Sequence, residues 1–483
     1  MIPELWNNTL MTLKFLPSLL FSVLLISSSN ALDGEIHDFF LPNGLKVILM
    51  ERHGAPKVAV NIAYNVGSHD EPKRTRGIND IVTKAIVIEG TQLYPNEKLS
   101  KMRDELGANY GDHTTYDISL FWTEIHIDGL DFILDVESDR MTNTIINDGV
   151  LEKMKERYYI DWQDNNNNNE IGLAFNNAFD EFMPKNHPYR SLQPTPDQIN
   201  SLTVQSCQTW YESYYSPNNA VLVIVGDVDP IESTKMIYNY FGHIPPSDDI
   251  PPDPSLSIEG IELTSSISKQ SANSKWFAFP GSFIGSFFYM PSAREDDAVI
   301  LKHITNIIDL SINKRDDLFK RFSKNRRLFM GAEVQYMPML GYSGFFLYSY
   351  NIFRTGSVNK INEQILSTFK YIGDNGIEDM LLEQYKKLEL LEEYEEYYAY
   401  RVIARRLIYA ELILGDYKYF NRELKILNEL TNDDIKRVVK KYFTNDNRKT
   451  VVISMNDDKK HWYTPIVSFV ANQFVLRLWD PEK

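Results

Sequence analysis

At 483 residues the chain is too long for one compact core, and two domains of roughly 200 residues each are expected. Hydrophobic residues make up 43% and charged residues 24%, the balance of an ordinary globular protein. The net charge of −16 argues against a nucleic-acid or anionic-membrane surface and favours solubility, or a basic or neutral polypeptide partner.

The stretch from Met1 to Ala31 reads as a targeting segment. Lys14 precedes a mostly apolar run from Phe15 to Ile26, and small polar residues lead to Ser29-Asn30-Ala31, which suits cleavage after Ala31. That run is well short of the roughly 20 residues of a membrane span, and the segment lacks the Arg of a mitochondrial presequence. Met11 offers an alternative start. A signal peptide over 1–31 is therefore expected, with no stable membrane anchor after cleavage. Cys207 is the single cysteine, so the exported chain would have no internal disulfide, and the thiol is expected to be buried near Trp210.

Further along, Asn43-Gly44 marks a turn before a strand over Leu45–Met50, and Val58–Tyr64 reads as a second strand. Ile78–Ile88 is apolar enough for a buried helix and Ile118–Ile127 is strand-like. Leu130, Ile133, Leu134 and Met141 share one face of a helix. The tract Asn165–Asn169 is expected to be a polar loop, and Met380–Leu414 a long helical run.

The clearest sign of architecture is an internal repeat. Leu202-Thr203, Trp210-Tyr211, Tyr214-Tyr215, Asn219 and a strand Val221–Val225 recur later in the chain at one constant offset. The counterparts are Leu430-Thr431, Val438-Val439, Tyr442-Phe443, Asn447 and Val451–Ile453, and no gap is needed. A helix, an aromatic pair, an Asn turn and a strand in one register imply duplication. Between the copies, Pro245 to Pro254 carries five prolines in ten residues, which reads as an extended linker.

Other motifs fall in a specific order. They are Leu41-Pro42-Asn43-Gly44-Leu45-Lys46-Val47, Val66-Gly67-Ser68-His69-Asp70-Glu71-Pro72, Gly77-Ile78 and Glu89-Gly90-Thr91. Leu134-Asp135-Val136-Glu137-Ser138-Asp139-Arg140-Met141, His187-Pro188-Tyr189, Tyr214 to Ala220 and Val225-Gly226-Asp227 follow. In that order they resemble the insulinase/pitrilysin-type zinc metallopeptidases, the inverzincins that include the mitochondrial-processing peptidases. The similarity runs over nearly the whole mature chain, more weakly in its second half. It implies an α+β fold of two homologous insulinase-type lobes, each an antiparallel-rich sheet covered by helices. The first lobe would span 32–245, the linker 246–258 and the second lobe 259–483.

In that family a helix after the Gly-Ile pair carries His-x-x-Glu-His: the two His bind zinc, the Glu is general base, and a downstream Glu completes the ligands. Here the resemblance places Asp80 at the first His, Thr83 at the base, Lys84 at the second His and Asp161 at the distal ligand, with Glu156 as the alternative if the register slips. Lys84 brings a cation with no free lone pair, and Thr83 cannot take up a proton as a carboxylate does. Family members also use an Arg and a Tyr in the second lobe, and here those positions align with Ser323 and Met330. Arg321, Arg326 or Arg327 would substitute after a small shift.

The resemblance thus implies a degenerate site: no intact catalytic residue, no metal expected, and a charge cluster of Asp80, Lys84 and Asp161. Asp80 and Lys84 stand at i and i+4 in the favourable order. A Lys84 buried between two carboxylates would make Lys84→Met cost about 3 kcal/mol. The function expected is a non-catalytic peptide-binding or scaffold subunit, partnering an active family member or closing as a homodimer. It would be exported to the periplasm of a Gram-negative-type bacterium. The alternative is an active metalloendopeptidase with an altered zinc site. Elsewhere, His113 and His126 lack ligand spacing, and His69 is expected to face solvent.

Overall fold

The computed structural model describes residues 35–168, 170–254, 256, 264–272, 281–314, 316–322, 331–352, 358–396 and 399–455. The expected signal peptide lies outside them, as do Ser323, Met330 and the basic turn Lys324–Arg327. The first half contains β1 (Ile36–Phe40), β2 (Lys46–Glu51), β3 (Lys57–Tyr64), α1 (Ile78–Ile88), α2 (Asn96–Glu105), β4 (Asn109–Thr114) and β5 (Ser119–His126). It continues with α3 (Leu130–Thr142), α4 (Asp148–Asn168), α5 (Glu170–Phe182), α6 (Pro196–Asn200), α7 (Val204–Tyr214), β6 (Ala220–Gly226) and α8 (Pro230–Phe241). The second half contains β7 (Ser266–Ala272), β8 (Gly281–Met290), α9 (Asp296–Lys314), α10 (Asp317–Phe322), β9 (Gly331–Met337) and β10 (Ser343–Ile352). It ends with α11 (Val358–Asn375), α12 (Asp379–Glu396), α13 (Tyr400–Tyr409), α14 (Arg422–Glu429), α15 (Asn432–Tyr442) and β11 (Arg448–Met455).

Each half supplies one sheet. The first has the order β1-β2-β6-β3-β5-β4 and the second β7-β11-β8-β10-β9. In the first, β2 and β6 are parallel and every other pair is antiparallel. In the second, β7 and β11 are parallel and the rest antiparallel. Strand for strand, β2-β6-β3-β5-β4 repeats as β7-β11-β8-β10-β9, with β1 added at one edge. Continuous apolar runs such as β6, buried along its whole length, are what a central strand covered on both faces requires.

The constant offset of the repeat is reproduced in detail. α7 and α15 begin behind Thr203 and Thr431, each closing a capping box with the residue three further on. Both end in a residue outside the helical region, Tyr215 at φ −92°, ψ 52° and Phe443 at φ −91°, ψ 57°. β6 and β11 then start at Ala220 and Arg448. Ala220 pairs with Tyr64 and Arg448 with Phe288, so Tyr64 and Phe288 are equivalent positions.

The halves also exchange helices. α5 of the first half packs on β7 and β11, and α13 of the second half on β3 and β6. A third core between the halves gathers Ala178 and Phe182 of α5 with Phe287, Val451 and Ile453 of the second sheet.

Two sequence expectations are corrected. The Asn tract does not form a loop: α4 runs to Asn168 and α5 starts at Glu170, so helix takes in the described part of the tract despite its weak helix propensity. The long run from Met380 divides into α12, α13 and a π-helical turn over Ala410–Leu414. The proline-rich segment Pro245–Pro254 is neither helix nor strand, as its composition predicts, and Ser247 is tied to Asn218 by two hydrogen bonds of 2.8 and 2.9 Å.

Candidate functional site

α1 is positioned by its own N-terminus. Gly77 adopts φ +89°, and an added Cβ would lie 2.5 Å from Ile199 Cδ1, so any side chain there would be strained. The first amides of the helix find their acceptor in Glu71, whose carboxylate receives Gly77 N–H and Asn79 N–H at 2.9 Å each. Burial pushes the Glu71 carboxyl up to about 7, against the opposing pull of those two amides.

One turn into α1, Asp80 and Lys84 share a face, and α4 delivers Asp161 to the same place. Lys84 Nζ lies 2.9 Å from Asp80 Oδ2 and 3.4 Å from Asp161 Oδ2. It is Asp161, not the exposed Glu156, that meets the lysine. Tyr158 and Trp162 line the same cleft of about 420 Å³ with Pro194, and the Tyr158 ring centroid is 5.9 Å from the ammonium. Helix spacing brings Asp80 to Lys84 and the family resemblance implies Asp161 beside them; the three do meet, but the bridge is not a buried one. Side-chain exposure is 22% for Lys84, 41% for Asp80 and 53% for Asp161. Of the three, only the two carboxylates carry metal-donor atoms; the ammonium spends its protons on them.

Thr83 is turned away from this cleft. It is 1% exposed, and its Oγ1 is 3.0 Å from Tyr215 Oη. The Tyr215 hydroxyl donates to Asn79 Oδ1 at 2.8 Å, so the Thr83 hydroxyl is left to donate to Tyr215. Trp210 Nε1 donates to the same Asn79 oxygen at 3.1 Å, and Asn79 Nδ2 donates to Ser119 at 2.9 Å. This buried hub was not evident in the sequence, although two of its members, Trp210 and Tyr215, belong to the repeat that was.

The expectation for His69 is also overturned. It is 5% exposed, with Nε2 3.2 Å from Asp70 and Nδ1 3.3 Å from Asp117. Tyr189 donates its hydroxyl to Asp117 at 2.5 Å, and Leu340 N–H reaches the other Asp117 oxygen at 3.4 Å. The cluster therefore joins the two halves. Burial raises the Asp70 carboxyl to about 6 and raises that of Asp117 as well. Among the described residues, no group of three His, Cys, Asp or Glu side chains is placed to hold a metal ion. Cys207 is buried, as expected.

The repeated sheet, the exchanged helices and the α1–α4 cleft define a two-lobed fold of the insulinase type. The model of the insulinase family (peptidase family M16) matches residues 46–187, and that of the peptidase M16 inactive domain matches residues 201–285. Over those two stretches the chain matches the insulinase, or M16, peptidase family. It is 24% identical over 210 residues to the zinc protease PqqE of Helicobacter pylori, covering 42% of this chain and 45% of that one. It is 21% identical over 213 residues to the mitochondrial-processing peptidase subunit beta of Saccharomyces cerevisiae, covering 43% and 45%. These matches span less than half the length of either relative. Among solved structures, a protease from Helicobacter pylori superposes with a TM-score of 0.76 at 18% identity, over 87% of this chain and 99% of that one. The periplasmic protease PqqL from Escherichia coli superposes with a TM-score of 0.67 at 14% identity, over 91% of this chain and 50% of that one.

Proposed function

We propose that this chain is a non-catalytic member of its family, acting as a peptide-binding or scaffold subunit beside a zinc-bearing relative. The observation that carries the reading is the position of Lys84. Its ammonium lies between Asp80 and Asp161, where the family resemblance puts a metal, and offsets one of the two negative charges that remain there. Zinc would need a ligand at this position, and a protonated lysine offers none. Thr83, at the position of the general base, has its hydroxyl engaged with Tyr215 inside the core. A water activated in the cleft would have no carboxylate base at that position.

A subunit role is supported by relatives in which the family works through separate polypeptides, as the name of the mitochondrial-processing peptidase subunit beta indicates. Placement in the periplasm rests on the leader-like stretch Met1–Ala31 and on the relative described as a periplasmic protease. Among the described residues, no helix is long and apolar enough to cross a membrane.

The test is metal analysis of the purified chain together with cleavage of a mixed peptide library. The expected result is substoichiometric zinc and no cleavage above a heat-denatured control. One zinc per chain, lost on Asp80→Ala, would overturn the reading in favour of an active enzyme with an altered site. Mixing with a relative that carries an intact His-x-x-Glu-His should give a larger particle by light scattering.

A further inference from the structure

The duplication supplies an internal control for a second cavity. α5 and α13 lie on the open faces of opposite sheets, and the outer strands beneath them can be compared residue by residue. Ser119 pairs with Tyr64, and Phe345 pairs with its equivalent Phe288. Leu120 and Trp122 therefore stand where Phe346 and Tyr348 stand. Thr114 pairs with Ser119 as Tyr336 pairs with Phe345, so His113 corresponds to Gln335 and Thr115 to Met337.

Under α5 this junction is filled with rings. Phe175 packs 5.5 Å from both Phe346 and Tyr348, and the remaining cavity is about 270 Å³. Under α13 the ring of Trp122 is covered instead by the Arg401 guanidinium, 4.4 Å from its centroid, and the cavity is about 640 Å³. That is the size of a small-ligand site. The fold can close this junction with aromatic side chains, and in the second position it does not.

The charge of the wall says what would enter. Four cations, Arg401, Arg405, Arg406 and Lys302, face the cavity against two carboxylates, Glu423 and Asp112. Glu423 is taken up by Lys302. Arg401 and Arg405 stand one helical turn apart on α13. Arg405 has no ion pair among the described residues, and the contact of Arg401 is the face of Trp122. In a chain of net charge −16, a cavity with a local excess of guanidinium is a selective place for an anion. Two guanidinium groups at i and i+4, with Cβ atoms about 5–6 Å apart, match two carboxylates at comparable spacing.

We propose that the cavity between α13 and the first sheet binds a ligand carrying two neighbouring carboxylates, clamped by Arg401 and Arg405. The source is either adjacent acidic side chains of a peptide or a small free dicarboxylate. Arg401 and Arg405 belong to α13 on the Leu120–Trp122 face of the sheet, whereas α1 lies on the Phe121 face; Asp112, paired with Phe121, is the wall residue that also feels the charges of Asp80 and Lys84.

Calorimetric titration of the full chain with acetylated tetraglutamate amide and with glutarate tests this, with tetraglutamine and tetralysine as controls. At least one acidic probe should bind, more weakly at higher salt, and neither control should. Arg405→Gln, at an exposed position, should weaken binding about tenfold or more without changing the melting temperature, and Arg401→Gln should weaken it to a similar extent. Binding of the peptide alone identifies a polypeptide ligand, and binding of glutarate alone a small metabolite. Failure of both acidic probes at millimolar concentration, or equal binding by Arg405→Gln and wild type, overturns the proposal.

Discussion

Asn219 and Asn447, equivalent positions of the repeat, make the same bond: each donates its side-chain amide to the carbonyl of a tyrosine five residues upstream, Tyr214 at 2.8 Å and Tyr442 at 2.7 Å. Each also reaches one of the equivalent strands β3 and β8 or the residue beside it, Asn219 to Asn65 O at 3.3 Å and Asn447 to Tyr289 O at 2.7 Å. The latch fastens the end of a helix to the strand beside the one that follows it. It explains why an asparagine, with two amide hydrogens, recurs in both copies.

Asn447→Ala removes the donor from two carbonyls at a buried position, and a loss of about 2 kcal/mol is expected. Asn219→Ala should cost about 1 kcal/mol, because Asn219 is partly exposed and its second bond is long. Urea titrations of both variants measure this. An Asn447→Ala variant as stable as wild type would mean that the repeated bond is incidental.

Much of this was legible in the sequence because it is local or periodic. α1 has the expected bounds because Ile78–Ile88 is apolar on every turn, and the Asp80–Lys84 pair follows from helix spacing alone. The repeat surfaced because a Leu-Thr pair, an aromatic pair, an Asn and a strand recur in one register, and the structure shows both threonines to be helix caps. What failed depends on chain brought from far away. His69 is buried because Asp117 and Tyr189 close over it. The inward turn of Thr83 toward Tyr215, about which the residues alone carried no expectation, has the same kind of cause. Nothing beside either residue announces its partner. The arginines of α13 drew no notice either, since their meaning comes from Trp122 in the other half.

Glu71 sets a pH dependence. Its folded value is about 7 against an ordinary 4.5, so the native state holds this proton more tightly than the unfolded chain does. The stability this confers is complete below about 4.5 and is lost as pH rises through 7. Asp70, raised from 3.8 to about 6, acts in the same direction over a lower window. The chain should therefore melt higher at pH 5 than at pH 8. Glu71→Gln should flatten that difference by an amount on the order of 3 kcal/mol, whatever its constant offset. A slope unchanged in the variant would assign the pH dependence elsewhere.

Tyr189 should act as a pin between the halves. Its hydroxyl donates to Asp117 and accepts Gly341 N–H at 3.4 Å, and Asp117 also receives Leu340 N–H. Tyr189→Phe keeps the ring contacts with Tyr342 and His187 but leaves a buried carboxylate short of one donor. A loss of about 1–3 kcal/mol is expected. Hydrogen exchange should rise at the Leu340 and Gly341 amides more than in the β3 core, and uniform exchange across both would argue against a pin.

Lys84→Met measures how far a lysine substitutes for a metal ion in this cleft. For a buried bridge, removing the cation would strand two carboxylates and cost about 3 kcal/mol. The bridge is present at 2.9 and 3.4 Å, but its acids are 41% and 53% exposed, so water screens the pair and solvates what remains. The expected loss is therefore no more than about 1 kcal/mol, the range of surface ion pairs. It should shrink further in half-molar salt, where the screening length is only a few ångströms. Adding Asp80→Asn and Asp161→Asn to Lys84→Met removes the repulsion between the acids and should return most of the loss. Thermal melts at low and high salt decide it. A loss of about 3 kcal/mol that persists in salt, the cost of breaking a buried pair, would show the lysine to be a structural replacement for the ion. The expected small, salt-sensitive loss makes it a neutralising group that leaves the cleft free to change.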